Sequence, residues 1–157
     1  MKYSTNLIQL LKEWEGCILQ VYPDSGKELT IGIGHLLTKS ERSSGKIRVG
    51  DYFISYANGI SEDQARRLLV QDLVRPDWAV SVNVHVLLTQ NQYNALVSFV
   101  FNLGVSAFEN STLLRVLNNG RFDQVPVQLR RWIHDNGKVV QGLINRREKE
   151  IALWEGK

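Results

Sequence analysis

The stretch that decides the fold is residues 14–35, WEGCILQVYPDSGKELTIGIGH. Glu15 ends an amphipathic run, and a PDSG turn then carries Asp24. A strand-like segment follows, with a hydroxyl at Thr30 and an imidazole at His35. Two acids joined through a turn can converge on one small site. We therefore interpret this stretch as an active site built from the end of a helix and a small hairpin.

The same residues also have ordinary interpretations when each is taken singly. Glu15 fits a surface glutamate at a helix end, Asp24 a turn former, and His35 a structural histidine paired with an acid. Gly32 and Gly34 leave the backbone bare, so we expect an extended ligand to approach there. Only the combination favours a catalytic site.

Composition bounds the class of protein. With 157 residues, 43% hydrophobic and 22% charged, the chain can form one domain with a real core. Its net charge of +3 fits an anionic polymer such as nucleic acid or bacterial cell wall, although only mildly. The single cysteine, Cys17, excludes an internal disulfide, and we expect it to be buried.

The apolar segments do not resemble targeting or membrane segments. Residues 1–16 carry polar and charged side chains throughout, unlike a signal peptide or an anchor. The longest uncharged stretch, 79–109, contains Asn, Gln, Thr and Ser, which indicates a buried core element. We therefore expect the chain to be made as a cytosolic protein.

Local patterns predict a small β element near the start of a mostly helical chain. A first helix capped by Ser4 or Thr5 has an apolar stripe, and a hairpin covers 21–35. Residues 36–58 are polar and irregular; 40–46 are an exposed loop, and 49–56 form a short strand or a short helix. The residues of the first stripe are Leu7, Leu11, Trp14 and Ile18.

Capping boxes predict two further helices, which begin near Ser61 and Thr89. The first has an inner stripe of Ala65, Leu68, Leu69 and Leu73, and Arg75-Pro76 ends or kinks it. The second covers 93–103 and stops at a glycine. Shorter helices cover 112–118, 123–133 and 143–154. The charged run 146–150, RREKE, is typical of a solvated face, although Arg146 and Arg147 can instead reach an acid in a cleft.

At Glu15-Gly16, Asp24 and the run TIGIGHLLTK from Thr30, the sequence resembles the phage-type lysozymes, the endolysin family of glycoside hydrolase family 24. Further blocks follow in the family's order over essentially the whole chain. They are Gln71-Asp72, Phe101 to Gly104, Phe108 to Thr112 and Asn145 to Arg147. The segment 39–58 departs from the family block, and the segment between Asp72 and Phe101 is shorter than in the T-even phage member.

The resemblance implies an α+β, predominantly helical, lysozyme-like fold with two lobes in a single catalytic domain, 1–157. The small β-hairpin lobe covers about 18–60, and the helical lobe covers about 1–17 and 75–157. It also implies hydrolysis, with inversion, of the β-1,4 bond between N-acetylmuramic acid and N-acetylglucosamine, for host cell lysis. Glu15 is the expected general acid, Asp24 activates water or stabilises the transition state, and Thr30 helps to hold that water.

The resemblance assigns supporting and binding roles as well. It implies an ion pair between His35 and Asp72, which gives that acid on an apolar helix face its partner. Arg146 matches an arginine that pairs with the catalytic glutamate. The implied substrate contacts are Leu36, Phe101, Asn102 and Ser111, with Asn136 as a loosely aligned further one.

Two other functions stay open at this stage. A non-catalytic wall or nucleic-acid binding module would use the basic charge, but the cations are dispersed, which disfavours nucleic acid. A chitinase-like hydrolase would use the same acids. For the lysozyme we expect peptidoglycan strands as partner, no metal or organic cofactor, and a monomer. We also expect no membrane anchor and holin-dependent release from the host cytoplasm to the periplasm or cell wall, although a tail-associated or secreted lysozyme would share the residues.

Overall fold

The computed structural model describes residues 1–24 and 26–157; Ser25, in the predicted PDSG turn, lies outside the described residues. Most elements are helices, and the sheets are small and antiparallel. The helices are α1 Thr5–Glu15, α2 Lys39–Ser44, α3 Glu62–Asp72, α4 Val74–Asn83, α5 Gln90–Leu103, α6 Val105–Glu109, α7 Thr112–Asn118, α8 Val125–Leu129 and α9 Gln141–Glu155. The strands are β1 Ile18–Pro23, β2 Leu29–Gly32, β3 His35–Leu36, β4 Lys46–Val49, β5 Tyr52–Ser55, β6 His134–Asp135 and β7 Lys138–Val139.

The chain forms two compact units, each with its own core. The sheet unit comprises Ile8–Val74, and the helical unit comprises Met1–Leu7 with Arg75–Lys157. The predicted lobes and the single catalytic domain stay predictions. Fully buried apolar side chains in the sheet unit include Leu11, Ile31, Ile47 and Ala65. Those in the helical unit include Val80, Leu96, Phe99, Val100, Phe108, Leu117 and Leu129.

The main sheet of the sheet unit has the order β1-β2-β3, and β1 contains a bulge. Ile18 pairs with Gly32 and Tyr22 with Thr30, so β1 advances by four residues where β2 advances by two. Extra residues in one strand leave backbone groups without a ladder partner. The carbonyl of Leu19 accepts a hydrogen bond from Ile60 N at 2.8 Å instead. The loop before α3 therefore holds the bulge.

Gly59 makes this backbone approach possible. Its φ is +84°, and a Cβ at this position would lie 2.7 Å from the carbonyl oxygen of Leu19. Left-handed φ and the absence of a side chain are both properties of glycine. The loop can therefore reach the bulge only with glycine here.

Several predictions about the sheet unit were wrong in their details. α1 ends at Glu15, because Gly16 has a φ of +76°. Ile18 therefore begins β1 with 43% of its surface exposed, instead of continuing the helical stripe. The predicted loop 40–46 contains α2, which Thr38 and Glu41 open with a capping box. Cys17, which was expected to be buried, is half-buried. Of the two alternatives left open for residues 49–56, the strand is the one observed, as β5.

The capping boxes at Ser61 and Thr89 are confirmed, because both open helices with reciprocal hydrogen bonds. α3 ends at Asp72, and Pro76 lies in the first turn of α4, where its missing N–H is tolerated. The single helix predicted over 123–133 was wrong. A 3-10 turn, Phe122–Gln124, precedes α8, which has a proline in its first turn.

The first residues of the chain are attached to the helical unit by side chains of α4 and α5. Ser4 N donates to Asn94 Oδ1 at 3.0 Å, and Asn94 Nδ2 donates back to Ser4 Oγ at 2.8 Å. Tyr3 N donates to Asp77 Oδ1 at 3.1 Å. Asp77 Oδ1 also accepts a hydrogen bond from the Tyr93 hydroxyl. Burial raises the pKa of Tyr93, and the Asp77 carboxylate raises it further. Asn94 and Asp77 thus satisfy backbone groups before the first turn of α1.

We predict that Gly59→Ala destabilises the protein because it combines a strained φ with a backbone clash. The expected loss in the free energy of unfolding is about 3 kcal/mol, which lowers Tm by about 6–12 °C. Gly45→Ala is the matched control, because Gly45 has a φ of +69° but no atom within 4 Å of its Cβ position. It should cost only about 1 kcal/mol. Equal losses in thermal unfolding would contradict the clash.

Candidate active site

Glu15 is the last residue of α1 and lies against Gly34. A Cβ on Gly34 would lie 3.2 Å from Glu15 Cδ and 3.3 Å from its Oε2. Gly32 lies in the same way against α3, with its Cβ position 3.3 Å from the Cβ of Ala65. The sequence did not predict these two contacts, and the approach of a ligand to these glycines stays a prediction. They admit the Glu15 side chain and the α3 helix.

Asp24 has its carboxylate fixed by the turn that follows β1. Its Oδ1 accepts hydrogen bonds from the backbone N–H groups of Gly26, at 2.9 Å, and Glu28, at 2.8 Å. Lys27 supports this turn with a φ of +65° and donates its N–H to the Asp24 carbonyl at 2.9 Å. The backbone therefore orients this acid, and no long side chain has to be ordered for it.

Thr30 in β2 is nearly buried, with 4% of its surface exposed. Its hydroxyl donates to the carbonyl of Glu28 at 3.2 Å, which leaves the oxygen able to accept a hydrogen bond. Across the ladder it faces Tyr22. Burial raises the pKa of Tyr22, and the negative charges of Glu15 and then Asp24 raise it further. Tyr22 therefore has both acids as neighbours.

The sheet unit thus brings Glu15, Asp24 and Thr30 to one region. Glu15 packs against Gly34, backbone N–H groups orient Asp24, and the Thr30 hydroxyl is hydrogen-bonded to a backbone carbonyl. Sequence reasoning missed Tyr22 as a member of this group. The signal was available, because a residue two positions before Asp24 in an extended strand projects from the same face. The bulge in β1, which fixes the register against Thr30, is not readable from the local sequence.

His35 lies between two acids. Its Nδ1 is 2.8 Å from Asp72 Oδ2, and its Nε2 is 3.3 Å from Glu41 Oε2. Burial alone would lower the pKa of His35, but the hydrogen bonds and charges of both acids outweigh it and raise the pKa. Burial likewise opposes, but does not prevent, a lowered pKa for Glu41, which accepts hydrogen bonds from Thr38 and faces the imidazole. Sequence reasoning paired His35 with Asp72 but missed Glu41.

Three residues of the charged run of α9 are buried, namely Arg146, Arg147 and Glu150. Glu150 Oε1 lies 3.0 Å from Arg146 Nε, and its Oε2 lies 2.7 Å from Arg147 Nε. Ser98 of α5 donates to Glu150 Oε1 at 2.8 Å. Arg147 also donates to Asn102 Oδ1 at 2.6 Å. Buried charges need such partners. The prediction of a solvated face was wrong for these three residues, whereas Glu148 and Lys149 are exposed.

The remaining predicted contacts fall in both units. Leu36 is 51% exposed in β3, and Phe101 and Asn102 lie in the last turn of α5. Ser111 caps α7, accepting from Leu114 N at 3.0 Å and donating to Phe108 O at 2.7 Å. It lines a cavity of about 300 Å³ in the helical unit. The other lining residues are Asn110, Thr112, Gln128, Arg131 and Trp132.

The described residues include neither a cluster of metal ligands nor a membrane-spanning helix. Within residues 1–24 and 26–157, no group of three His, Cys, Asp or Glu side chains is arranged to hold a metal ion. In the same described part of the chain, every helix is too short or too polar to cross a bilayer.

Comparisons with known proteins agree with this arrangement. The family model "Phage lysozyme" matches residues 12–150. The endolysin of Salmonella phage P22 is 38% identical over 156 residues, covering 98% of either chain. A crystal structure of a P22 lysozyme mutant matches with a TM-score of 0.76 at 36% identity, covering 99% of each chain. These matches confirm the predicted α+β lysozyme-like fold.

The chain is also similar to a muramidase domain and to a second phage endolysin. The muramidase domain of SpmX from Asticaccaulis excentricus matches with a TM-score of 0.77 and 34% identity, covering 98% of this chain and 97% of that domain. The endolysin of Bacillus phage PZA is 36% identical over 156 residues, covering 98% of this chain. The chain spans only 55% of the length of that relative, but nearly all of the P22 protein.

We predict a stability maximum between the titrations of Glu41 and His35. Because the folded pKa of His35 is raised, its stabilisation is complete below its ordinary value of 6.5 and is lost as pH rises through the folded pKa. Because the pKa of Glu41 is lowered, its stabilisation is complete above 4.5 and is lost as pH falls through the folded pKa. Urea unfolding measured across this pH range tests both.

The control separates the His35 contribution from other titrations. His35→Asn should remove the decline in the free energy of unfolding just above pH 6.5, whereas His134→Asn, at an exposed position, should preserve it. If the wild type and His35→Asn curves run parallel above pH 6.5, His35 is not the group responsible.

Proposed function

The chain belongs to the phage lysozyme family, and we propose that it hydrolyses the β-1,4 bond between N-acetylmuramic acid and N-acetylglucosamine in peptidoglycan. It is a lysozyme-type glycoside hydrolase. The single observation that supports the specific reaction is the pair of acids in the sheet unit. Glu15 is half-buried against Gly34, while the backbone fixes Asp24, and Thr30 lies nearby with an accepting hydroxyl.

In the proposed reaction, the two acids act on opposite sides of the scissile bond. Glu15, in its protonated form, gives its proton to the glycosidic oxygen as the bond from that oxygen to the anomeric carbon breaks. A water oxygen forms the new bond to the anomeric carbon, and Asp24 accepts the proton that this water loses. Thr30 holds the water. Single displacement of this kind inverts the configuration of the anomeric carbon.

The contacts of Asp24 and Thr30 suit these proposed roles. A carboxylate that accepts two backbone N–H groups keeps its orientation without side-chain reordering at the moment of reaction. Thr30 donates its hydroxyl proton to Glu28 O, so its oxygen is directed to accept from the water. Leu36, Phe101, Asn102 and Ser111 are proposed to bind the glycan strand, and Arg146 is proposed to support Glu15; these assignments stay predictions.

The biological role is part of the same proposal. The relatives named endolysin come from phages, which supports a role in lysis of the bacterial host. We propose that the protein acts on the wall after release from the host cytoplasm, with holin, and as a monomer. Measurements of activity distinguish this proposal from two alternatives, a wall-binding module and a chitinase-like hydrolase.

We predict that Glu15→Gln lowers the rate of clearing of outer-membrane-permeabilised Gram-negative cells by about a thousandfold, because the general acid is lost. Glu13→Gln is the matched control, since Glu13 is exposed on the same helix and accepts a hydrogen bond from Gln9. It should clear at the wild-type rate. Circular dichroism first establishes that each variant is folded.

Product analysis fixes the bond and the stereochemistry. The wild type should release fragments with N-acetylmuramic acid at the reducing end, initially as the α-anomer in proton NMR. A folded wild type that binds walls without clearing them would indicate a binding module. Equal cleavage of chitin oligosaccharides and peptidoglycan would indicate the chitinase-like alternative.

We predict that Gly34→Ala impairs catalysis more than stability. The new Cβ would have to displace the Glu15 carboxyl group by a few tenths of an ångström, and a misplaced acid transfers its proton less efficiently. The expected kcat is about tenfold lower. Gly45→Ala, with a similar left-handed φ and open space, should lose about the same stability but keep its kcat. A normal kcat in Gly34→Ala would contradict this positioning role.

A further inference from the structure

Tyr22 shares one face of the β1–β2 hairpin with Asp24 and Thr30. It is the register partner of Thr30, and side chains directly opposite in an antiparallel ladder project from the same face with Cβ atoms about 5 Å apart. The ladder continues to Asp24, whose N–H donates to Glu28 O at 2.9 Å. Because Asp24 follows Tyr22 by two positions in this extended backbone, both side chains project from the same face.

The bulge in β1 produces this alignment. Between Ile18 and Tyr22, β1 contains two residues more than the opposing part of β2. Bulges of this kind re-aim side chains and are over-represented beside active sites. The contact between Leu19 and the loop before α3 fixes the bulge, so the position of Tyr22 is set by the fold and not by its own side chain.

We propose that Tyr22 is a further catalytic residue, whose hydroxyl donates a hydrogen bond to the attacking water held by Asp24 and Thr30. This rests on the proposed function and deepens it. A water that attacks a carbon needs a defined orientation, and two acceptors, the Asp24 carboxylate and the Thr30 oxygen, can receive both of its protons. A donor to one of its lone pairs completes this orientation, while the other lone pair is directed at the anomeric carbon.

A tyrosine suits this position chemically. Burial raises the pKa of Tyr22, and the negative charge of the neighbouring acids raises it further, so the phenol stays protonated and remains a donor at neutral pH. A neutral donor orients the water without weakening Asp24 as the proton acceptor, whereas a cation at the same place would stabilise the Asp24 carboxylate and lower its basicity. Tyr22 is also half-buried, which reduces competition from bulk water.

The test is Tyr22→Phe, which removes the hydroxyl and keeps the ring. Steady-state rates on soluble peptidoglycan fragments should show kcat about tenfold lower with KM within about twofold of the wild type, because the lost hydrogen bond orients the water and not the substrate. Tyr52→Phe is the matched control, since Tyr52 is 76% exposed in β5, and it should leave both constants unchanged. Near-UV circular dichroism at the assay temperature excludes unfolding.

A double-mutant cycle tests whether Tyr22 and Thr30 hold the same water. Once Thr30→Ala has released that water, Tyr22→Phe should cost much less than tenfold, so the double variant should be more active than the product of the two single losses predicts. Independent, multiplicative losses would overturn the proposal. So would an unchanged kcat in Tyr22→Phe, or a raised KM at normal kcat, which would make Tyr22 a substrate contact.

Failure of this inference is distinguishable from failure of the proposed function. If the folded wild type does not cleave peptidoglycan, the proposed function fails and the assignment of Tyr22 fails with it. If the wild type cleaves it with dependence on Glu15 while Tyr22→Phe is equally fast, only the role of Tyr22 is wrong.

Discussion

The candidate catalytic residues depend on one backbone hydrogen bond, from Ile60 N to Leu19 O. Extra residues in one strand leave backbone groups that need a partner outside the ladder, and Leu19 lies within the bulge of β1. The loop before α3 supplies that partner, at a distance that only Gly59 permits. The bulge then becomes the favoured conformation, and with it the register that places Tyr22 opposite Thr30. A contact between two backbone groups therefore sets the geometry between β2, which carries Thr30, and β1, which leads into Asp24.

Much of the fold could be predicted because its signals are local. The capping boxes at Ser61 and Thr89 need only four consecutive residues, and both helices begin where the sequence predicted. The glycine that follows α5 is an equally local stop signal. The box that opens α2, from Thr38 to Glu41, was of the same kind but was masked by its polar surroundings, which favoured a loop. The family resemblance supplied the proposed roles of the acids, which periodicity could not.

Other features were missed because they arise from contacts with another element. The glycines at 32 and 34 predicted room for a ligand, but they did not indicate that Glu15 lies against Gly34. Charge density in α9 predicted solvation, whereas Ser98 and Asn102 on α5 give Glu150 and Arg147 polar partners in the interior. The Arg147 guanidinium also lies over the ring of Phe99, with its Cζ atom 5.2 Å from the ring centroid. Neither environment can be read from a window of sequence, because each is created by another element.

The attachment of the first residues to α4 and α5 has a consequence for how the protein forms on the ribosome. Domains generally fold as units as the chain emerges, N-terminal parts first. The sheet unit, Ile8–Val74, is continuous and can condense once its own residues have been translated. Residues 1–7 belong instead with the helical unit, and their partner Asn94 emerges much later, followed last by the buried charges of α9. Residues 1–7 therefore meet these partners only after the whole sheet unit has been translated.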